Sequence, residues 1–186
     1  MAHTAFDRGL WGSGHMIPPV MAGQAFFTTV AGMAVSLAGF GSVIAWLRDD
    51  PSSWDPVNLW RVKTIVRHAL ILAFLCLALI PVFSITNDDT TTIRVGSGFI
   101  LMFAVADAWY DRHPDPVIWV PRASWVLAMA ITAVIAVIAL ANLVWVSLGI
   151  LQLEVLVLLT SPAGIFFNFV REMSAGPRAA PGKESD

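Results

Sequence analysis

The sequence predicts an all-α membrane protein, a helix bundle with five transmembrane helices. Of its 186 residues, 57% are hydrophobic and only 13% are charged, which is too little polar surface for a soluble domain of this size. Apolar runs long enough to cross the ~30 Å hydrocarbon core of a bilayer recur along the chain. The basic residues crowd into every second gap between these runs, which predicts an amino terminus outside and a cytoplasmic carboxyl terminus.

The hydropathy of the chain places the five spans at about 21–47, 66–85, 92–110, 123–141 and 149–170. The last apolar stretch, residues 123–170, would form a single helix of roughly 70 Å, which is over twice the thickness of the hydrocarbon core. It must therefore turn back on itself, and Asn142, Ser147 and Gly149 interrupt its apolar pattern where the reversal is expected. An arrangement with four spans, the last strongly tilted, is the alternative.

The two ends of the chain differ in composition from the bundle between them, residues 21–172. Residues 1–20 are rich in glycine and proline and are expected to form an interfacial arm outside the membrane. The first apolar run is long enough to span, so we interpret it as a retained helix and not as a cleaved signal peptide. Residues 173–186 carry prolines and charges and are expected to form a disordered cytoplasmic tail.

The distribution of basic residues sets the expected orientation and number of spans. Nine of the eleven Lys and Arg residues fall in the first gap, the third gap and the carboxyl-terminal tail, whereas Arg8 and Arg94 alone lie on the other side. Positively charged loops stay in the cytoplasm, so the termini lie on opposite sides and the number of spans is odd. Short loops with this pattern favour a multi-pass protein of a bacterial inner (plasma) membrane.

Ionisable residues close to the hydrocarbon are the candidates for a functional site. Arg67 lies about one turn inside the second span and Asp107 about one turn inside the third, so their equal depth predicts a salt bridge. Asp111 follows Asp107 on the same helix face. On the outer side, Arg94 and Glu154 form a second matched pair of charges, and Asn168 is a further polar candidate in the fifth span.

Two interpretations of these charges compete. An ionised group in hydrocarbon is costly and is a functional candidate by default. Lys and Arg side chains within a turn of the membrane boundary can instead extend to the headgroups, which removes most of that cost and explains Lys63. Glu154 cannot reach outward in this way, so its position favours a function.

Small residues predict where helices approach one another. The first span carries Ala34, Ala38 and Ser42 at four-residue spacing, and the fourth carries a similar series of alanines. Such stripes allow close backbone contact in lipid. They predict contact between the first and fourth helices, or between two copies of the chain.

The sequence contains none of the common catalytic motifs, and it predicts no catalytic residue, no metal site and no cofactor. One spacing, Asp107-x3-Asp111-x3-Asp115, resembles the aspartate motif of CDP-alcohol phosphotransferases over about nine residues. That resemblance implies magnesium-dependent transfer chemistry on a lipid. The chain departs from the family pattern because the Asp-Gly and Ala-Arg elements upstream are absent and Pro114 takes Asp115 off the helix.

Three functional hypotheses follow from these patterns. The first is an accessory or scaffold subunit, with membrane lipids, another membrane protein or a second copy of the chain as partner, and no nucleic acid. The second is a small oligomeric carrier or channel, in which Arg67, Asp107, Glu154 and Asn168 converge on a cavity. The third is a membrane enzyme that modifies lipid through Asp107 and Asp111 at the cytoplasmic face.

Overall fold

A computed structural model describes residues 20–46, 56–111 and 122–174. Within this part the chain is all-helical, with α1 Gln24–Trp46, α2 Pro56–Thr86, α3 Asp89–Asp111, α4 Arg122–Trp145 and α5 Leu148–Ser174. Each of the five helices is long and apolar enough to cross a membrane. The prediction of five apolar helices of spanning length is therefore confirmed over the four-helix alternative, while the proposed arm and tail fall almost entirely outside the described residues.

The helix bounds differ from the hydropathy estimate mainly at α2 and α4. The helix α2 begins at Pro56 instead of near residue 66, because its first turns carry Arg61 and Lys63, which are good helix formers but not apolar. Proline suits the first turn of a helix, where its missing N–H leaves no hydrogen bond unmade. The helix α4 runs on to Trp145, so hydropathy underestimated the length of both helices.

The reversal between α4 and α5 lies within the segment that the sequence predicted. Only Val146 and Ser147 connect the two helices. Val146 has a φ of 51°, which is strained for a β-branched residue. The Asn142 side chain stabilises the turn, because its Oδ1 accepts a hydrogen bond of 2.8 Å from the Ser147 N–H.

The turn between α2 and α3 is formed by residues suited to it. Asn87 adopts a φ of 50°, a conformation that asparagine tolerates better than most residues. Asp88 caps α3, accepting hydrogen bonds from the N–H groups of Thr90 and Thr91 at 3.1 and 2.9 Å. The Thr91 hydroxyl also donates to this carboxylate and lowers the pKa of Asp88 below its ordinary value.

The small residues of α1 pack against α2 and not against α4. Ala34 and Ala38 are buried, and a Cβ atom added at Gly41 would lie 3.4 Å from the Val66 side chain of α2. In the described part of the chain, α1 contacts α2 and α5, whereas α4 contacts α3 and α5. The predicted contact between the first and fourth helices is therefore wrong within the bundle, because α2 and α5 separate them. Contact between copies of the chain stays a prediction.

Gly96 lies where α2, α3 and α5 meet. A Cβ atom at this position would lie 3.1 Å from a methyl carbon of Leu151 and 3.2 Å from a methyl carbon of Leu79. At Gly98, on the same helix, the nearest atom would be the Leu143 methyl carbon at 3.9 Å. The missing side chain at Gly96 therefore allows the three helices to approach closely.

We expect Gly96→Ala to be less stable than Gly98→Ala by about 1–3 kcal/mol, the usual cost of overpacking a core. Gly98→Ala should be neutral or stabilising, since alanine favours a helix by roughly 0.5–1 kcal/mol over glycine. The free energy of unfolding of both variants, measured by denaturant titration in mixed micelles, tests this. Equal stability of the two variants would show that the contacts at Gly96 relax without cost.

Candidate functional site

A charged cluster links α2 to α3. Arg67 Nη2 lies 2.9 Å from Asp107 Oδ1, and His68 Nε2 lies 3.0 Å from the same oxygen. The Arg67 side chain is 37% exposed, whereas those of Asp107 and His68 are 16% and 12% exposed. The salt bridge predicted from the equal depth of Arg67 and Asp107 is therefore present, and a histidine shares its acceptor.

His68 is the member of this cluster that the depth argument did not include. Its ring packs edge-on against Phe103 of α3, with the ring centroids 5.5 Å apart and the planes at 89°. Its Nε2 faces Asp107, while its buried Nδ1 has no hydrogen-bond partner among the described residues. The ring is thus held between an aromatic face and a carboxylate, with one nitrogen available to a further group.

The cluster lies at one end of an elongated cleft of about 310 Å³ between α2, α3, α4 and α5. This volume is at the lower end of the range for small-molecule pockets, roughly 300–1,000 Å³. On α3 the lining extends from Phe99 to Asp107, which corresponds to about 12 Å along the helix. Most of the remaining wall is hydrocarbon, including Ile71, Leu75, Ile100, Ile131, Ile135 and Leu158. The cleft is therefore mostly apolar, with hydroxyl side chains at Thr64, Thr132, Thr160 and Ser161, and it is charged at one end.

The structure separates the remaining predicted site residues from this cluster. Asp111 is the last residue of α3, one turn beyond Asp107, and its side chain is outside the described part of the structure. Asn168 on α5 and Lys63 on α2 are exposed, and neither lines the cleft. Of the four residues expected to converge on a single cavity, only Arg67 and Asp107 do so.

Glu154 does not form the predicted pair with Arg94. Arg94 is exposed, whereas Glu154 is buried, with 2% of its surface accessible. Neither carboxyl oxygen of Glu154 has a hydrogen-bond partner among the described residues. Equal depth in the membrane was a poor guide here, because depth says nothing about the direction in which a side chain leaves its helix.

A buried polar contact between α3 and α4 was also missed. The Asn142 amide donates a hydrogen bond of 2.9 Å to the Ser97 hydroxyl, and both side chains are fully buried. The Ser97 hydroxyl in turn faces the Glu154 carboxyl without making a hydrogen bond to it. In the sequence Asn142 indicates only an interruption of the apolar pattern, and serine is too common in membrane helices to predict a specific contact.

Within the described ranges, no three His, Cys, Asp or Glu side chains gather in a group that could hold a metal ion. The Asp115 carboxylate of the resemblance to CDP-alcohol phosphotransferases lies outside those ranges. No family model, curated protein or solved structure matches this chain. A functional proposal must therefore rest on the side chains and cavities themselves.

We expect Asp107→Ala to lower the free energy of unfolding by about 1–3 kcal/mol, because it removes the oxygen to which Arg67 and His68 donate. Asp107→Asn should cost less, since its amide oxygen can still accept. The exposed cation Lys63 provides the control, and Lys63→Ala should change stability by less than about 0.5 kcal/mol. Equal effects of Asp107→Ala and Lys63→Ala on denaturant unfolding would mean that the cluster contributes no stability.

Proposed function

We propose that this protein is an accessory or scaffold protein of the membrane that holds a lipid amphiphile in the cleft beside Arg67, His68 and Asp107. The single observation that carries the proposal is the combination of a hydrocarbon-lined cleft with a charged cluster at one end. A lipid amphiphile has a matching structure, because its apolar chain would contact the hydrocarbon wall and its polar headgroup would contact the charged cluster. The cleft is bordered by four of the five helices, so an occupant would also stabilise their arrangement.

The charged end of the cleft favours a headgroup that accepts hydrogen bonds, such as a phosphate. The Arg67 guanidinium carries N–H donors in a planar fork, a geometry suited to phosphate, and its Nη2 donates to Asp107 Oδ1. His68 Nδ1 can supply a further donor when it carries a proton. Asp107 holds the Arg67 and His68 side chains in place, and an anionic headgroup would lie on the Arg67 side of the cluster.

The contacts of Asp107 disfavour a lipid-modifying enzyme that uses this carboxylate. Magnesium-dependent transfer would need the Asp107 carboxylate as a metal ligand. One of its oxygens instead accepts hydrogen bonds from Arg67 and His68, and the positive charge of Arg67 opposes a cation at that position. The cluster is therefore better suited to binding a lipid than to modifying a lipid chemically.

Lipid binding can be tested with the full chain purified in a neutral detergent, stripped of lipid and mixed with a single-chain phospholipid. We expect saturable binding of about one lipid per chain, and a higher thermal midpoint in its presence. Arg67→Ala should weaken binding about tenfold, because it removes the main donor to the phosphate. Native mass spectrometry counts the bound lipid, and thermal unfolding reports the affinity.

Lys63→Ala is the matched control, since Lys63 is a cation one turn from Arg67 on the same helix but is exposed and does not line the cleft. A second variant, Ala104→Leu, adds volume inside the cleft and should also weaken binding without changing any charge. Equal weakening by Arg67→Ala and Lys63→Ala would indicate general attraction to the surface and would overturn the proposal.

The orientation that we propose places the Arg67 end of the bundle at the cytoplasmic face of a bacterial inner membrane. In an up-and-down bundle of five helices, the amino terminus of α1, the α2–α3 turn and the α4–α5 turn lie at one end. The N–H of Ala22, two residues before α1, donates a hydrogen bond to Asp89 Oδ1 at the start of α3, which supports this grouping. The opposite end carries most of the basic residues, which favours retention in the cytoplasm.

Accessibility of single cysteines tests this orientation. We expect Asp88→Cys, at the α2–α3 turn, to react with a membrane-impermeant maleimide on intact cells, and Ser185→Cys, in the carboxyl-terminal tail, to react only after the membrane is opened. Both variants are made in a Cys76→Ala background so that the single native thiol cannot contribute. The reverse pattern of labelling would refute the proposed orientation.

A further inference from the structure

Glu154 is a charged residue with no explained role. It is the only Asp, Glu, Lys, Arg or His between residues 148 and 170 of α5, and 2% of its surface is accessible. An ionised carboxylate buried among apolar helices is costly unless it is paired or neutralised. The Glu154 carboxylate therefore needs a positively charged partner or a proton. The partner comes either from another helix of the bundle or from a ligand.

The helices packed against α5 supply no charge to Glu154. The helix α1 has no titratable residue, and α4 has none beyond Arg122 at its first position. In α2 the only titratable group between His68 and Thr86 is the buried Cys76 thiol, and in α3 there is none between Arg94, which is exposed, and Asp107. The polar group that faces Glu154 is the Ser97 hydroxyl. Neither carboxyl oxygen of Glu154 has a hydrogen-bond partner in the described part of the chain.

A second cavity of about 310 Å³ lies beside Glu154, between α4 and α5. Apart from Glu154 its lining is hydrocarbon, with residues such as Ile135, Ile138 and Val157. Three of the lining residues, Ile131, Val134 and Leu153, are 46–57% exposed on the outside of the bundle. The cavity is therefore open toward the surface that would face lipid and has a single acidic group in its wall.

The chemistry of this wall selects the class of ligand. A hard cation such as Na⁺ or Mg²⁺ needs several oxygen ligands, and the cavity offers only the Glu154 carboxyl. A neutral apolar molecule would leave the carboxyl without a partner. A hydrophobic monovalent cation satisfies both the hydrocarbon wall and the negative charge, because the attraction between opposite charges is strong where water is excluded.

We propose that Glu154 and the cavity beside it form a binding site for a hydrophobic monovalent cation, which exchanges with a proton. Without the cation, the carboxyl keeps its proton and is neutral. When the cation enters, the O–H bond of the carboxylic acid breaks, the proton leaves to solvent and the carboxylate pairs with the cation. One positive charge is lost for each one gained, so the net charge of the bundle is unchanged. This site does not depend on lipid binding at Arg67.

Tetraphenylphosphonium is a suitable probe, because it is a hydrophobic monovalent cation with no hydrogen-bond donor. We expect the full chain in neutral detergent to bind it. The affinity, measured between about pH 5.5 and about pH 8.5, should rise by up to about tenfold per pH unit while the free carboxyl is protonated and level off once it is ionised. Titration calorimetry in buffers of different ionisation enthalpy should show release of up to one proton per cation. E154Q should weaken binding about tenfold or more and remove its dependence on pH.

Two controls and one alternative measurement distinguish binding at Glu154 from other causes. Asp107→Asn removes a carboxylate from the first cleft only and should leave binding of the cation unchanged within about twofold. Tetraphenylborate has the same shape and the opposite charge, so Glu154 should not favour its binding. If E154Q fails to fold, as size exclusion and circular dichroism would show, the pH dependence and proton release of the unmodified chain still decide.

Several results would overturn this proposal. These are the absence of tetraphenylphosphonium binding by the unmodified chain, an affinity that is the same at low and high pH, and equal binding by folded E154Q. Loss of binding in Asp107→Asn with retention in E154Q would assign the cation to the first cleft instead. Failure of lipid binding at Arg67 would not change these results, because Arg67 lines only the first cavity and Glu154 only the second.

Discussion

The high cost of an ionised group among hydrocarbon side chains governs the arrangement of this bundle. Asp107 meets this constraint by accepting hydrogen bonds from Arg67 and His68 on the neighbouring helix, which fixes α2 and α3 relative to each other near one end. The contacts of Asp107 with Arg67 and His68 also form the charged end of the cleft. Glu154 is under the same constraint but has no such partner among the described residues, so its charge state depends on a proton or on a ligand.

Close packing of small residues determines where the polar side chains meet. Gly96 allows α2, α3 and α5 to approach, and Ser97, the next residue along α3, is thereby brought to Asn142 of α4 and toward Glu154 of α5. The fourth helix is less enclosed than the others, and the two cavities lie along it, sharing Ile131 and Ile135 in their walls. Tight packing on one side of the bundle and loose packing at α4 together leave room for the two cavities.

Much of the architecture could be predicted from the sequence because membrane helices obey simple rules of length and polarity. The five spans, the reversal after Asn142 and the pairing of Arg67 with Asp107 follow from hydropathy and from depth along the helices. Depth alone was insufficient to predict the contacts of Arg94 and Glu154, because the Arg94 side chain is exposed and the Glu154 side chain is buried. It was insufficient for Asn168 as well, since that side chain lies on an exposed face of α5.

The sequence by itself determined that the chain forms apolar helices and where they turn, because these properties depend on the composition of continuous segments. Which helices are neighbours depends instead on how their surfaces fit, and the small residues of α1 could not reveal that α2 would cover them. Only the tertiary structure added His68 to the charged cluster, enclosed the Ser97–Asn142 contact and placed a cavity beside Glu154. These features arise between residues distant in the chain, so no local pattern records them.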